Sequence, residues 1–305
     1  MTFRGLGTAL ITPFTESGAL DESALARFVD FQIDGGVNFL VPCGTTGENP
    51  ALTADEHRRV VEIVVRRANG RVAVLAGAGS NNTARAIELA DQAIDIGAEG
   101  VLTITPYYNK PTPDGLRRHF GMQAEAINKK KTGFPMIMYN VPGRTGVNMT
   151  AETTLRMAAE IPNIVGVKEA SANLEQIMTV IRDRAEGFLV LSGDDAWTLP
   201  LIGAGADGLV SVASNEIPRL MSDLVGAALR GDFVAARAIH YRILPLLTGN
   251  FIESNPIPVK TACKLLGIIE SDAVRPPLAP ITSANREKLI AILRECGLME
   301  KALVS

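Results

Sequence analysis

Short apolar runs, each bounded by glycine or proline, alternate along the chain with longer segments of helical periodicity. Eight of these runs have the length and composition of strands buried on both faces. They are GTALIT (7–12), NFLVPC (38–43), RVAVLAG (71–77), GVLTIT (100–105), PMIMYN (135–140), IVGVKE (164–169), FLVLS (188–192) and DGLVSV (207–212). The amphipathic segments between them, such as DESALARFVDFQIDGG, open with a Ser, Thr or Asp cap and close near glycine. The repeating unit is therefore a strand followed by a helix.

The number of these units predicts the fold class. Eight parallel βα units within about 230 residues favour an α/β protein with a (β/α)8 TIM barrel, because an open doubly wound sheet usually has five or six strands. Three further helical stretches follow without any strand pattern, namely DFVAARAIHYRILPLL, PIPVKTACKLLGI and SANREKLIAILREC. We therefore expect a catalytic barrel over residues 1–230 and a C-terminal helical appendage over residues 231–305.

Composition and charge exclude several classes of partner. The 305 residues are 47% hydrophobic and carry a net charge of −3, so no basic field would attract nucleic acid or an anionic membrane surface. The N-terminal segment lacks the pattern of a signal peptide, and no run of about 18 apolar residues occurs. The three cysteines form no CxxC pair, which suits a reducing compartment. These features predict a cytoplasmic protein.

A lysine ends the sixth predicted strand, where the apolar pattern IVGV continues into Lys168 and Glu169. In such barrels the active site is built from the C-terminal ends of the strands and the loops that follow them. Burial there lowers the pKa of a lysine, and a neutral amine is a nucleophile toward ketones. The alternative is a lysine kept charged by Glu169. Successive strand residues point to opposite faces, however, so this pair is poorly placed for a salt bridge.

Tyrosines form the second group of candidates. Three of the four in the chain, Tyr107, Tyr108 and Tyr139, fall at predicted strand ends or in the loops after them. A phenol in this position can transfer protons during imine chemistry if neighbouring hydroxyls such as Thr45 and Thr46 connect to it. The alternative for each tyrosine is an amphipathic core residue with a solvated hydroxyl.

Three loops suggest what kind of substrate binds. The CGTTGE loop (43–48) offers free backbone N–H groups and hydroxyls that suit a carboxylate. The YNVPGRTG segment (139–146) carries Arg144, whose planar guanidinium matches a carboxylate, although it could also be an ordinary surface arginine. The LSGDDAW loop (191–197) places two acids where many barrels bind a phosphate, which disfavours phosphorylated substrates.

The sequence contains no pattern for a metal or a nucleotide cofactor. The three histidines, His57, His119 and His240, do not have the spacing of metal ligands. GLGTAL and GAGSNN both lack the third glycine of a dinucleotide-binding fingerprint. We therefore expect neither group.

These motifs together resemble a known family. GTTGE (44–48), TPYYNKP (105–111), YNVPGRTG (139–146), GVKEAS (166–171) and GDD (193–195) resemble the dihydrodipicolinate synthase family of the pyruvate-dependent class I aldolase and N-acetylneuraminate lyase superfamily. The resemblance extends over almost the whole chain, from GTALITPF to NPIPVKTACKLLG. The arginine of YNVPGRTG separates the chain from the sialic acid lyases, which usually lack it.

The resemblance implies a reaction. Pyruvate would form an imine with Lys168, tautomerise to an enamine and condense with L-aspartate 4-semialdehyde to give 4-hydroxy-tetrahydrodipicolinate, in the first committed step of lysine and diaminopimelate biosynthesis. Apart from this covalent imine no cofactor is implied. The catalytic residues would be Lys168, Tyr139, Thr45 and Tyr108, and the substrate-binding residues Thr46, Arg144, Val210 and Gly193.

Within this assignment Tyr139 would transfer the proton, with Thr45 and Tyr108 completing a relay, and Arg144 would bind the carboxylate of the semialdehyde. In the family, the tyrosine that matches Tyr108 reaches into the site of a neighbouring subunit. The resemblance therefore implies a tight dimer and a homotetramer of two such dimers. Two other hypotheses remain open. One is an aldolase or dehydratase acting on a different 2-oxo acid or aldehyde, and the other is a non-catalytic paralogue that binds a carboxylate.

Overall fold

Eight parallel strands close into a barrel in the computed structural model, which describes residues 3–300. Each strand pairs with the next one in the chain, and the last strand pairs with the first. The strands are β1 (Gly5–Ala9), β2 (Phe39–Val41), β3 (Ala73–Gly77), β4 (Gly100–Ile104), β5 (Met136–Asn140), β6 (Ile164–Glu169), β7 (Leu189–Ser192) and β8 (Gly208–Ser211). The predicted (β/α)8 barrel is thus confirmed.

Strand β1 departs most from its predicted bounds. The apolar run predicts a strand over 7–12, but the strand covers Gly5–Ala9. Leu10 and Ile11 are as buried as the strand residues. The Ile11 N–H, however, donates to the side-chain oxygen Oδ1 of Asn215 at 3.0 Å and not to a neighbouring strand. An apolar pattern reports burial, so it could not show that a side chain replaces the strand partner here.

Helices follow the strands around the outside of the barrel. Their first turns carry the side-chain caps that the sequence predicts: Asp21 accepts from the Ala24 N–H, and Thr53 forms a capping box with Glu56. The helices are α1 (Glu22–Asp34), α2 (Ala54–Ala68), α3 (Thr83–Ile96), α4 (Pro113–Lys130), α5 (Pro142–Thr145), α6 (Ala151–Glu160), α7 (Leu174–Asp183), α8 (Thr198–Gly203), α9 (Pro218–Leu229), α10 (Phe233–Gly249), α11 (Ile257–Leu265) and α12 (Ser283–Glu295).

Two apolar clusters make up the core. The larger cluster lies between the strands and the helices, and the smaller one fills the barrel with side chains such as Phe39, Leu75, Ile137 and Leu191. Because both faces of each strand are covered, the strands appear in the sequence as continuous apolar runs. Gly7 lets the ring of Phe39 cross the barrel, since a Cβ at this position would lie 2.2 Å from the ring atom Cε2.

Three helices, α10, α11 and α12, follow α9 and pack against it or against one another. The predicted boundary at residue 230 falls in the turn between α9 and α10. Residues 1–2 of the predicted barrel and 301–305 of the predicted appendage lie outside the described residues. Within residues 3–300 no helix has the length and apolar character needed to cross a membrane.

A buried ion pair ties the C-terminal segment to the loop after β2. Lys260 on α11 is 0% exposed, and its Nζ donates to Glu48 Oε1 at 2.8 Å, to the Thr12 carbonyl at 3.0 Å and to the Ala273 carbonyl. The other oxygen of Glu48 accepts from the backbone N–H of Arg275 at 2.9 Å. Glu48 itself lies in the left-handed region at φ +54°. These partners hold the loop in a conformation that a non-glycine residue rarely adopts.

Replacing Lys260 by Met should therefore destabilise the fold by about 3–5 kcal/mol, because it leaves the Glu48 carboxylate buried without its cation. The matched control is Lys264→Met on the same helix. Lys264 pairs with Asp272 at 3.0 Å but is partly exposed, so its loss should cost at most about 1 kcal/mol. Urea unfolding followed by circular dichroism measures both. Equal losses of stability in the two variants would show that the buried Lys260–Glu48 pair contributes no more to folding than the partly exposed Lys264–Asp272 pair.

Candidate active site

Lys168 on β6 and Tyr139 on β5 lie side by side at the C-terminal end of the barrel. Their Cα atoms are paired in register between β5 and β6. The Nζ of Lys168 lies 4.1 Å from the centroid of the Tyr139 ring. Lys168 is 6% exposed and Tyr139 is also buried. The lysine that interrupts the apolar pattern is thus an interior residue next to a phenol.

Burial lowers the pKa of Lys168 to about 7, because the ammonium loses its hydration inside the barrel. The Asp195 carboxylate partly offsets this by favouring the charged form. The Arg144 guanidinium lowers the pKa further. A large fraction of Lys168 is therefore the neutral, nucleophilic amine at neutral pH.

Glu169 does not pair with this lysine. Its carboxylate accepts from Asn140 Nδ2 at 3.1 Å, from the Ser171 N–H at 2.9 Å and from Gln176 Nε2 at 3.2 Å. Burial raises the pKa of Glu169 above its usual value, although these donors offset part of the rise. The two neighbouring residues point to opposite faces of β6, as the strand periodicity predicts. A Lys168–Glu169 salt bridge is therefore not what holds the lysine.

The two acids after β7 have different hydrogen-bond partners. Asp194 Oδ1 accepts from the N–H groups of Ala196 and Trp197 at 2.9 and 3.3 Å, in the turn that leads to α8. Asp195 is buried, and its carboxylate accepts from the Ser211 hydroxyl and from the Val212 N–H at 2.9 Å. Burial raises the pKa of Asp195 to about 6. Asp195 is therefore a buried acid, bonded to β8 and its following turn, whose charge acts on Lys168.

Gly193 leaves room for the lysine side chain. A Cβ at this position would lie 3.1 Å from Lys168 Cε and 2.8 Å from the Cβ of Ala170. The Gly193 N–H donates to the Glu169 carbonyl at 2.8 Å, which fixes the start of the loop. A larger residue here would push against Lys168.

A cavity of about 180 Å³ opens beside Tyr139, and its lining includes Thr45, Tyr107, Arg144 and Thr145. Burial raises the pKa of Tyr139 to about 12. The Arg144 cation and a hydrogen bond with the Thr45 side chain lower it in part. The phenol therefore stays protonated near neutral pH and can donate its proton to a developing anion in the cavity.

Three other predicted site residues, Thr46, Val210 and Tyr108, are not among the residues that line this cavity. Thr46 is buried and accepts a hydrogen bond from Asn255 Nδ2 at 3.0 Å. Val210 lies in β8 with its side chain inside the barrel. Tyr108 is 90% exposed and has φ +71°, so this single chain does not bring it to Tyr139. The chain therefore brings together Lys168, Tyr139 and Thr45, but not the third hydroxyl of the predicted relay.

Sequence reasoning missed two contributors to this region. Asn255 and Lys260 both come from the C-terminal segment and both bond to the loop after β2. The NPIPVK run (255–260) that contains them belongs to the family resemblance, but its residues carry no local pattern for a site. The sequence predicts that Asp194 and Asp195 disfavour a phosphorylated substrate, but it does not show that Asp195 bonds to Ser211 of β8.

Among residues 3–300 no group of three or more His, Cys, Asp or Glu side chains could hold a metal ion. His57 Nε2 bonds to the Gly77 carbonyl at 2.8 Å, and His119 Nδ1 bonds to Thr83 Oγ1 at 2.9 Å. The three cysteines are free and buried. Neither of these histidines lines the cavity beside Tyr139, whereas Cys43 does, and burial raises the pKa of its thiol.

Comparisons with known proteins agree with this architecture. The family model described as "Dihydrodipicolinate synthetase family" matches residues 2–296. A relative from Koribacter versatilis named 4-hydroxy-tetrahydrodipicolinate synthase is 49% identical over 306 residues, and the match covers 100% of both chains. A crystal structure of dihydrodipicolinate synthase from Aquifex aeolicus is 45% identical with a TM-score of 0.93, covering 97% of this chain and 99% of that one.

A second solved structure is the chloride-inhibited dihydrodipicolinate synthase from Acinetobacter baumannii complexed with pyruvate. It is 40% identical with a TM-score of 0.93, and the match covers 98% of this chain and 100% of that one. Sequence and fold thus match over nearly the whole length, which confirms the resemblance seen in the motifs. The chain belongs to the dihydrodipicolinate synthetase family.

Proposed function

We propose that this protein catalyses the condensation of pyruvate with L-aspartate 4-semialdehyde to give 4-hydroxy-tetrahydrodipicolinate, a lyase reaction that opens lysine and diaminopimelate biosynthesis. The observation that carries the proposal is the buried Lys168 amine, whose pKa is lowered to about 7 and whose Nζ lies against the Tyr139 ring. A neutral amine and a protonated phenol are the two groups that imine chemistry needs.

The first step forms the imine. The neutral Nζ of Lys168 adds to the keto carbon of pyruvate and makes a carbinolamine. Tyr139 donates its proton to the carbinolamine oxygen, which leaves as water when the C=N bond forms. The hydrogen bond between Tyr139 and Thr45 supplies a hydroxyl that can return a proton to the phenol.

The second step forms the carbon–carbon bond. Loss of a proton from the methyl group converts the imine to an enamine, whose carbon attacks the aldehyde of the semialdehyde. The amino group of that substrate then adds to the imine carbon and closes the ring, and Lys168 leaves as the free amine. One water is lost over the whole reaction, and the proposal requires no resident cofactor.

Arg144 is proposed to bind the carboxylate of the semialdehyde. It lines the cavity, and its planar fork can donate two parallel hydrogen bonds to a carboxylate. Thr46 and the main chain of Val210, with Gly193 beside Lys168, are proposed to hold pyruvate.

The proposed assembly is a homotetramer of two tight dimers. The exposed Tyr108 supports the dimer, because in it this residue would reach the site of the neighbouring copy and complete the relay that Thr45 and Tyr139 begin. The tetramer rests on the family resemblance. A cytoplasmic setting is part of the same proposal, since three buried free cysteines suit a reducing compartment.

Reduction of the protein with borohydride in the presence of pyruvate should attach a pyruvate-derived mass to the peptide that contains Lys168. Lys168→Ala should lose both the adduct and nearly all activity, whereas the matched control Lys264→Ala should keep both. Peptide mass spectrometry measures the adduct, and a coupled assay compares L-aspartate 4-semialdehyde with N-acetylneuraminate and sugar-acid substrates. Labelling of another lysine would refute the mechanism, and preference for another substrate would favour a different aldolase.

The rate of imine formation should rise with pH and level off above a midpoint near 7, because the neutral amine of Lys168 is the nucleophile and its fraction grows as pH passes its pKa. Quenching with cyanoborohydride at short times after mixing with pyruvate measures this rate. Arg144→Met removes a cation that lowers the pKa, so its midpoint should move upward. A midpoint near 10 in the unmodified protein would contradict the assigned environment.

Two variants should distinguish proton transfer by Tyr139 from semialdehyde binding by Arg144. Tyr139→Phe removes the phenol hydroxyl but keeps the ring, so kcat should fall about 100-fold or more with little change in the KM for pyruvate. Arg144→Ala should raise the semialdehyde KM about 10- to 100-fold, because a charge-assisted pair is lost, while pyruvate still forms the imine. Steady-state kinetics with each substrate varied in turn measures both. Unchanged semialdehyde kinetics in Arg144→Ala would favour another acceptor aldehyde.

A further inference from the structure

We propose that Asn255, from the C-terminal segment, is a positioning residue that directs the hydroxyl hydrogen of Thr46 toward the carboxylate of pyruvate. The inference rests on the proposed function and assigns a part in it to a residue outside the barrel strands and their loops. It starts from one hydrogen bond: Asn255 Nδ2 donates to Thr46 Oγ1 at 3.0 Å, across 209 positions of sequence.

The direction of this hydrogen bond decides what Thr46 can do. A hydroxyl has one hydrogen to donate and can accept two hydrogen bonds, whereas an amide NH₂ only donates. Because Asn255 occupies an acceptor position on Thr46 Oγ1, the hydrogen of Thr46 remains available for another acceptor. A substrate carboxylate is an acceptor only. The two hydrogen bonds therefore run in one direction: the amide donates to the hydroxyl, and the hydroxyl donates to the carboxylate. The first bond strengthens the second.

The surroundings of Asn255 keep its amide in place. The residue is 5% exposed and lies in the segment between α10 and α11. Five positions later, Lys260 bonds to Glu48 and to the Thr12 carbonyl. Asn255 and Lys260 thus attach the same segment to the same loop after β2 at two points. This double attachment restricts how far the amide can move from Thr46.

Asn255 also contacts Arg144, but through its main-chain carbonyl and not through its side chain. Its main-chain carbonyl accepts from Arg144 Nη2 at 3.5 Å. A change of the Asn255 side chain removes the bond to Thr46 and keeps the carbonyl that faces Arg144. The two substrates can therefore be separated experimentally, since Thr46 is assigned to pyruvate and Arg144 to the semialdehyde.

A purely structural role fits the amide less well. Within the described residues the Asn255 Oδ1 is buried and has no hydrogen-bond partner. A buried amide oxygen without a partner costs stability, so an apolar side chain of similar size would suit a merely packed position at least as well. The donor Nδ2 is the part of this side chain that makes a contact.

The experiment compares Asn255→Leu, which keeps the approximate size and removes the donor, with the unmodified protein. The pyruvate concentration needed for half-maximal borohydride trapping on Lys168 should rise about 3- to 10-fold, as expected for one lost hydrogen bond. The semialdehyde KM should change less than about 2-fold, since the carbonyl that faces Arg144 remains. The matched control is Asn250→Leu, another buried amide of the C-terminal region, which bonds to Glu216 and not to Thr46.

A double-mutant cycle tests whether Asn255 acts through Thr46. Thr46→Val alone should weaken pyruvate trapping, and adding Asn255→Leu to it should cause little further change, because the shared hydrogen bond is already gone. If Asn255→Leu does not fold, Asn255→Asp tests the same point. Its carboxylate accepts the Thr46 hydrogen and turns it away from pyruvate, so trapping should weaken more than in Asn255→Leu.

Unchanged pyruvate dependence in Asn255→Leu, equal losses for both substrates, or additive effects in the cycle would overturn the inference. Loss of pyruvate affinity in Asn250→Leu as well would also overturn it, because the effect would then come from general packing. A failure of the proposed function would look different, since the unmodified protein itself would then trap no pyruvate, and the inference would fall with it.

Discussion

The desolvation of one lysine is the constraint on which the site depends. An ammonium inside a barrel loses its hydration, so the pKa of Lys168 falls to about 7. A large fraction of this amine is then neutral at neutral pH. The neighbouring groups then adjust this balance. Asp195 favours the charged form and Arg144 opposes it, while Gly193 leaves the space that the lysine side chain needs. A more polar pocket would keep the lysine charged and unreactive toward carbonyl groups.

The C-terminal segment contacts the candidate site, although the proposed reactive groups lie in the barrel. Lys260 is buried against Glu48, and Asn255 is bonded to Thr46, so two contacts join this segment to the loop after β2. A buried ion pair contributes little net stability compared with apolar packing, but separating its partners is costly because it leaves an unpaired buried charge. We interpret this pair as the device that keeps Glu48 in its left-handed conformation and the loop next to Tyr139.

Tyr108 shows the limit of what one chain can complete. Thr45 and Tyr139 are connected by a hydrogen bond, whereas Tyr108 is exposed and does not line the cavity beside them. The left-handed backbone conformation of Tyr108 is costly for a residue with a Cβ, and the exposed ring gains no burial that would offset it. The single chain thus brings together the proposed nucleophile Lys168 and the proposed proton carrier Tyr139, and the proposed dimer would supply the remaining hydroxyl.

The sequence by itself determined the barrel, seven of its strands to within two residues, and the placement of Lys168, Tyr139 and the CGTTGE loop at one end. It could do so because burial on both strand faces leaves a continuous apolar run, and because parallel strands all end on the same side. Only the tertiary structure decided which buried polar groups meet. The bonds of Asn255 to Thr46, Lys260 to Glu48 and Asp195 to β8 join residues 209, 212 and 16 positions apart. Local patterns report burial and periodicity, and they contain no information about which hydrogen-bond partner the closed barrel places opposite a given side chain.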